Sequence, residues 1–338
     1  MEWNDAIDLS KRKFSSRLIV ERARARGWDV CGFQSNLAIF LLHIPGRDKP
    51  VQIFSASPLQ MSYPASKIAQ DKYITNQILG HNGLLVPREL LIDTKQALDM
   101  AALRQFLEDV KTVVVKPLDA SHGKGITVGV DQLSELEAGI ELARQDSARG
   151  RVIVQQQVPG FDVRVVCIDY QFVDAISRLP ASVFGDGANA VAELIDITNN
   201  GSERGENYQT RLNRIPVAKA LAFLGEVEMS AVPAQGEEVQ VIGVSNTGMG
   251  GILQNIRGKI PEFLQEMAVQ AAKILELPVC GVDFMVRAMP ATDSRPEELQ
   301  AHIIELNECP ALTMYEKLDC VEQSEIIDAY LDLVAKAS

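Results

Sequence analysis

The sequence predicts an α+β fold in several lobes, and three observations carry that reading. Short β-branched runs bounded by glycine or proline recur along the chain, as in VVV at 113–115, VIV at 152–154 and VCGVDFMV at 279–286. Amphipathic helical patterns stand between them, as in FSSRLIVERARARG at 14–27. The chain has 338 residues, 46% apolar and 23% charged, which is enough for two or three subdomains with a sizeable core.

The pattern from Phe14 to Gly27 predicts a basic amphipathic helix closed by glycine, followed by short strands around Val30–Phe33, Ala38–Ile44 and Val51–Ser55. A second helix is expected at Ser66–Leu79, and a glycine and proline turn at His81–Pro87 leads into the next lobe. Residues 113–175 read as several strands around a hairpin, with a helix near Leu133–Arg149 and a turn at Pro159 and Gly160. Residues 185–216, rich in Asn, Gly and Arg, read as a long loop with a short helix at Val191–Ile197; loops of this length in a compact chain are functional or disordered. The last unit holds a strand near Val239–Val244, a glycine-rich turn at Ser245–Gly251 and a helix at Ile260–Leu275. Strands at Val279–Val286 and His302–Leu306 follow, joined by a loop at 287–301, and a helix at Ser324–Ala335 closes the chain.

The stretch VVVKPLDASHGKGITVGV at 113–130 carries the first chemical signal. Val113–Val115 form a strand, Ser121–Gly125 a turn and Ile126–Val130 the returning strand. Gly123 and Gly125 let backbone N–H groups approach an anion, while Ser121, His122 and Lys124 add donors and charge. Lys116, on the strand behind, reaches the same place as a point charge, so a polyphosphate suits this loop. A solvated hairpin tip has the same composition. The loop is not a Walker motif, because GxxxxGK[ST] is absent, nor a dinucleotide fingerprint, because no helix opens from it.

A second signal is acidic. Asp283 lies in VCGVDFMV, and Glu305 and Asn307 lie in IIELNE, all within apolar runs where an acid is costly unless it is paired or binds a cation. Glu305 and Asn307, two apart on a strand, share a face. Together the three would hold one or two Mg²⁺ against nucleotide phosphates. The alternative is that Asp283 ends its strand and pairs with an arginine such as Arg287.

Net charge of −12 and a pI near 4.9 argue against nucleic acid or an anionic membrane as partner, so a basic site for an anion has to be local. The acidic start MEWNDAIDL is no signal peptide, and no apolar run approaches the ~20 residues that span a bilayer. Cys31, Cys167, Cys280, Cys309 and Cys320 are odd in number and form no CxxC pair, which predicts reduced thiols in a cytoplasmic protein. Cys167 and Cys280, with apolar neighbours, read as buried small hydrophobes.

In their order these residues resemble the ATP-grasp superfamily: Lys72 in DKYITNQIL before a GLLVP turn, Lys116 with SHGKG, the segment VIVQQQVPG, then Asp283 with Glu305 and Asn307. VPGFDVRVV, SRLPASVFGDGANAVAELI, SERGENYQTRLNRI, SAVPAQGEEV and SNTGMGG are similar to the ATP-grasp portions of cyanophycin synthetases and bifunctional glutathione synthetases. The partner catalytic domains of those families are absent, which gives the look of a free-standing relative. The resemblance implies an ATP-grasp fold of three subdomains: an N-terminal α/β lobe at 1–87, a central mobile lid at 88–158 and a C-terminal lobe at 159–338, with ATP between the last two.

It further implies that Lys72 and Lys116 contact the α- and β-phosphates and that Ser121, His122, Gly123, Lys124 and Gly125 close over the γ-phosphate. Gln155, Gln156, Gln157 and Val158 would form the adenine hinge, and Asp283, Glu305 and Asn307 would hold Mg²⁺, or Mn²⁺ in its place. Arg164 and Arg178 match arginines near the acceptor carboxylate and its phosphate. The implied activity is an ATP-dependent carboxylate-amine ligase, joining a small-molecule carboxylate and an amine through an acylphosphate, in a protein for which a homodimer is a family expectation. Two departures stand out: relatives commonly have an acid where Gln155 stands, and an arginine where Ile242 stands. Arg257, Arg287 or Arg211 would replace the latter, or the chain takes a different acceptor, or it has lost the ligase step; the alternative functions are a nucleotide-binding regulator and a carboxylate kinase. Arg164, Arg178, Arg204, Arg211 and Arg214 give the region a carboxylate-recognising character, the last three serving equally as a solvated loop.

Overall fold

The computed structural model describes residues 9–33, 36–119, 125–206, 210, 212–315 and 325–336. Helix α1 (Phe14–Ala25) packs on an antiparallel sheet of β1 (Asp29–Gly32), β2 (Ile39–His43) and β3 (Val51–Phe54). Its stripe of Ile19, Val20 and Ala23 is buried against Phe40, Leu42 and Ile53.

The helix expected at Ser66–Leu79 is two helices, α2 (Tyr63–Gln70) and α3 (Lys72–His81). Asp71 breaks them. Its backbone is extended, at φ −98 and ψ 96, and its side chain accepts from the Ile74 N–H at 3.0 Å as the N-cap of α3. Lys72 thereby becomes the first residue of a helix.

A four-stranded antiparallel sheet follows, in the order β4 (Glu89–Asp93), β7 (Arg151–Gln156), β5 (Val113–Pro117) and β6 (Thr127–Val130). Helices α4 (Met100–Val110) and α5 (Leu133–Asp146) cover one face, with Phe106, Leu103, Leu136 and Ile140 packed on Val113, Val115 and Val154. The expected hairpin is present as β5–β6, with Val113 opposite Val130.

The largest sheet has five antiparallel strands, β14 (Ile252–Asn255), β9 (Gln171–Leu179), β8 (Phe161–Ile168), β15 (Val279–Val286) and β16 (His302–Asn307). Helix α9 (Glu262–Ile274) buries Leu264, Ala268 and Ala271 against Val163, Val165, Val282 and Phe284 on one face. The other face packs Val166, Ile168 and Val279 on the core of α1 to β3, joined by Tyr330 and Val334 of α11 (Ile326–Ala335). α10 (Pro296–Leu299) sits in the loop between β15 and β16.

The segment 185–216 is not structureless. With β10 (Ser182–Phe184), α6 (Val191–Asn199), β11 (Arg204–Gly205), β12 (Leu212–Asn213), α7 (Val217–Leu224), α8 (Glu226–Met229) and β13 (Glu238–Gln240) it surrounds a small core of its own. Val183, Leu194, Ile195, Ile215, Ala220 and Ile242 fill that core, and the Asn199 side chain ties both backbone groups of Ile215, at 2.7 and 2.9 Å. Among the described residues no helix is long and apolar enough to cross a membrane. Cys167 and Cys280 are buried opposite each other on β8 and β15, and the described cysteines are free thiols.

Candidate active site

A cleft of about 2070 Å³ opens between the four-stranded sheet and the five-stranded sheet. Val114, Ile126 and Val128 line one wall, and Phe284, Ile304 and Leu306 line the other. Its floor is charged, because the first half of β8 and the second half of the antiparallel β15 turn polar side chains to a face that is apolar along the rest of each strand. Strand register fixes the arrangement: Glu305 lies opposite Asp283, Asp283 opposite Arg164, and Asp162 opposite Arg178. A bulge in the β15–β16 ladder at Asp283/Phe284 lets Ile303 and Leu306 stay in the core while Glu305 and Asn307 face the cleft.

Asp283 does not pair with Arg287. Its carboxylate accepts a two-pronged bond from Arg164, at 2.5 and 2.6 Å, and a further one from Arg178 at 2.9 Å. Sequence proximity pointed to Arg287; strand register supplies Arg164 instead. Gly281 leaves room for this pair, since a Cβ there would make a tight contact of 3.2 Å with the Arg164 side chain. Arg178 also grips Asp162 with two bonds of 2.8 Å. Both guanidiniums are raised above the usual arginine range. Burial opposes their charge, but Asp283, joined at Arg178 by Asp162, outweighs it.

The sequence-derived metal trio converges. Asn307 Nδ2 lies 3.3 Å from Asp283 and 3.5 Å from Glu305, and Lys72 Nζ is 2.6 Å from Glu305. Burial would raise the Glu305 carboxyl, but Lys72, with Lys116 and Arg164 beyond it, holds it well below the usual range. Two carboxylates and an amide oxygen, brought in by a turn of the Asn307 amide, are hard donors that fit Mg²⁺ or Mn²⁺ shared with phosphate oxygens. Among the described residues no group of three or more His, Cys, Asp or Glu could hold a metal by itself.

Lys116 is 5% exposed, and its ammonium donates to Gln155 Oε1 at 3.0 Å. Burial, with Lys72 nearby, pushes it down to about 8 against the opposing pull of Glu305 and Glu89. Four cations (Lys72, Lys116, Arg164 and Arg178) thus face three carboxylates (Asp162, Asp283 and Glu305) on the floor. The local basic site expected of this acidic chain is there.

Along residues 155–158, Gln155 is buried and turned to Lys116. The Gln156 and Gln157 amides bond to Arg88 and Thr112 carbonyls, at 2.8 and 2.9 Å, and all three residues line the cleft with Val158. Ser121, His122, Gly123 and Lys124 lie outside the described residues. Gly125, at φ +64, leads out of that turn, where a Cβ would meet Asp146 at 2.9 Å.

Of the arginines offered in place of Ile242, Arg257 pairs with Glu325 on the surface at 3.4 Å, and Arg211 lies outside the described residues. Neither Arg257 nor Arg287 lines the cleft; Arg164 and Arg178 do. Arg204 is buried and donates to the Asn213 and Gly250 carbonyls, and Arg214 faces Glu206 at 3.4 Å. Glu89, Asn76 and Asp162 were missed in the sequence; for Asp162 the alternation in FDVR, two residues before Arg164, was the available signal.

The chain carries an ATP-grasp domain. The family model for the prokaryotic glutathione synthetase ATP-grasp domain matches residues 85–194. The chain is 34% identical over 257 residues to cyanophycin synthetase of Crocosphaera subtropica, covering 74% of this chain and 28% of that protein. It is 27% identical over 277 residues to the glutathione biosynthesis bifunctional protein of Listeria welshimeri, covering 81% of this chain and 34% of that protein. The chain therefore spans about a third or less of the curated relatives it matches. The fold also matches the bifunctional glutathione synthetase from Pasteurella multocida, with a TM-score of 0.69 and 20% identity, over 97% of this chain and 44% of that one.

Proposed function

We propose that the chain is an ATP-dependent carboxylate-amine ligase that joins two amino-acid-like substrates and releases ADP and phosphate. The observation that carries this reading is the convergence of Lys72, Lys116, Arg164 and Arg178 on Asp283, Glu305 and Asn307 between apolar walls. Apolar walls suit a purine, and the surplus of cations suits its phosphates. In this reading residues 88–158 are the lid, with Ser121–Gly125 over the γ-phosphate and Gln155–Val158 beside the base. One or two Mg²⁺ ions, held by Asp283, Glu305 and Asn307, would neutralise phosphate charge.

The chemistry needs this electrostatics because oxide is a poor leaving group. A carboxylate oxygen attacks the γ-phosphorus, the bond to ADP breaks, and the acylphosphate carries phosphate as leaving group. The amine nitrogen then attacks the carbonyl carbon, phosphate departs, and the amine loses a proton to solvent. Both steps develop charge on oxygens within reach of Lys116 and of the Nη1 groups of Arg164 and Arg178, which lie outside the bonds to Asp162 and Asp283. A closed lid keeps water from the acylphosphate.

One observation favours a second reading, nucleotide binding without amide formation: a buried isoleucine, Ile242, stands where the family resemblance leads one to expect an arginine. The deciding experiment offers ATP and Mg²⁺ with amino acids, dipeptides and γ-glutamyl compounds, singly and in pairs, and follows ADP and product mass. Release that needs a pair, with a mass equal to their sum less water, establishes the ligase. Release with one carboxylate alone indicates a kinase, and binding without release indicates the regulator.

A further inference from the structure

A hydrogen-bonded chain runs beneath the cleft through four elements. Asn76 of α3 donates to Glu89 of β4 at 3.3 Å, Gln155 of β7 donates to the same Glu89 oxygen at 2.9 Å, and Lys116 of β5 donates to Gln155 at 3.0 Å. Strand register builds it, since Glu89 lies directly opposite Gln155, and Gln155 lies opposite Val114, two residues from Lys116 on the same face. We propose that Glu89 is a positioning residue that acts through the Gln155 amide to orient Lys116 toward the nucleotide phosphates. The proposal rests on the nucleotide-binding reading above only for the last of these words.

Hydrogen-bond polarity makes the argument directional. A carboxylate only accepts and an ammonium only donates, while an amide does both from opposite ends. Glu89 and Lys116 therefore fix the Gln155 amide from both ends, with Nε2 toward the carboxylate and Oε1 toward the ammonium. A glutamine at 89 would remove the charged acceptor at one end and leave Lys116 alone to set the amide. Lys116, Gln155 and Asn76 are each 5% exposed or less, so water does not stand in for a misdirected amide.

The carboxylate is also poorly suited to its place by fold alone. Glu89 Oε1 and Asn76 Oδ1 are buried with no hydrogen-bond partner, and burial pushes the Glu89 carboxyl up while Lys116 pulls it down. An ionisable group kept under such conditions calls for a reason beyond packing. Its link to Lys116 supplies one. Because Asn76 shares α3 with Lys72, the same chain also ties the four-stranded sheet to the helix that reaches Glu305.

The test follows Lys116 directly, by ¹³Cε-lysine NMR titration of the free protein, assigned with Lys116→Met. Variants are Glu89→Gln, Gln155→Glu and the two combined, all close in shape to the native side chains. Glu89→Gln should lower the proton affinity of Lys116 about tenfold, and adding Gln155→Glu should restore or exceed it, because the charge is returned one residue nearer. A titration in Glu89→Gln that superimposes on the wild type overturns the proposal, as does a double variant that is not restored. The affinity for a non-hydrolysable ATP analogue with Mg²⁺ should fall and recover in parallel. If Lys116 titrates as expected but the wild type binds no nucleotide, the relay stands and the nucleotide reading fails.

Discussion

Arg164 stands directly opposite Asp283 across the β8–β15 ladder and closes on it with bonds of 2.5 and 2.6 Å, at a site where Asp283 is 2% exposed. Asp283 thus holds two buried guanidiniums in place besides facing the cleft. Asp283→Asn leaves Arg164 and Arg178 with one carboxylate, Asp162, between them. It should destabilise the fold by about 3–5 kcal/mol as well as abolish ATP turnover. Denaturant unfolding checks this, and a midpoint equal to the wild type contradicts the structural role. Loss of activity in this variant alone says nothing about metal.

Glu305→Gln is the cleaner probe. Its partner Lys72 and the carboxylate are each about a quarter exposed, at 23% and 22% of side-chain area, so the pair contributes about 1 kcal/mol or less to the fold. ATP turnover with Mg²⁺ should fall roughly 10²-fold or more with little change in melting temperature. Retained turnover would remove Glu305 from the metal site.

What the sequence made legible followed from how far apart the interacting residues lie. Asp283 and Glu305 were found because an acid within an apolar run is anomalous by itself, and Lys116 because it stands on the strand behind a glycine-bracketed turn. Strand alternation put Glu305 and Asn307 on one face. The partners were not legible, because Asp162 with Arg178 and Asp283 with Arg164 meet only through the register of three strands. Proximity in sequence favoured Arg287 and misled. The break at Asp71 was hidden by continuous helical periodicity on both sides, although Asp-Lys is a plain capping signal in retrospect. The core around α6 went unread because its apolar residues are spread between polar loops and only Asn199 and the short strands gather them.

Lys116 ties stability and affinity to pH in opposite senses. Its folded value, pushed down to about 8, lies below that of an unfolded lysine near 10.4, so the unfolded chain binds more protons between these limits. Its contribution to stability should therefore rise from pH ~8 to ~10.4, by on the order of 3 kcal/mol in all, and be flat below ~8. A phosphate needs the charged ammonium, so nucleotide affinity should drop about tenfold per pH unit above ~8 over the same window. The difference between wild type and Lys116→Met, in unfolding and in calorimetric binding from pH 7 to 10, isolates this lysine from other groups. A pH-independent difference would refute it.

Ile242 decides how much of the relatives' chemistry this chain can share. It is 3% exposed and packs with Val183, Leu194, Ile195 and Ile215, and the next residue, Gly243, lies so close to the Phe223 ring that a Cβ there would meet it at 2.9 Å. The backbone is thus pressed onto α7, and residue 242 packs in an apolar core at a point where it also lines the cleft. An arginine at 242 would have to bury its stem in that core or leave it. Ile242→Arg should cost about 3 kcal/mol or more and leave product formation no higher, whereas Ile242→Val should cost about 1 kcal/mol. Unfolding midpoints and turnover of the two variants separate the cases. A folded Ile242→Arg variant with increased product formation would mean that the side chain reaches the cleft and that the acylphosphate lacks an arginine in the native chain. A destabilised variant with unchanged chemistry per folded molecule would mean that Arg164 and Arg178 already supply that charge.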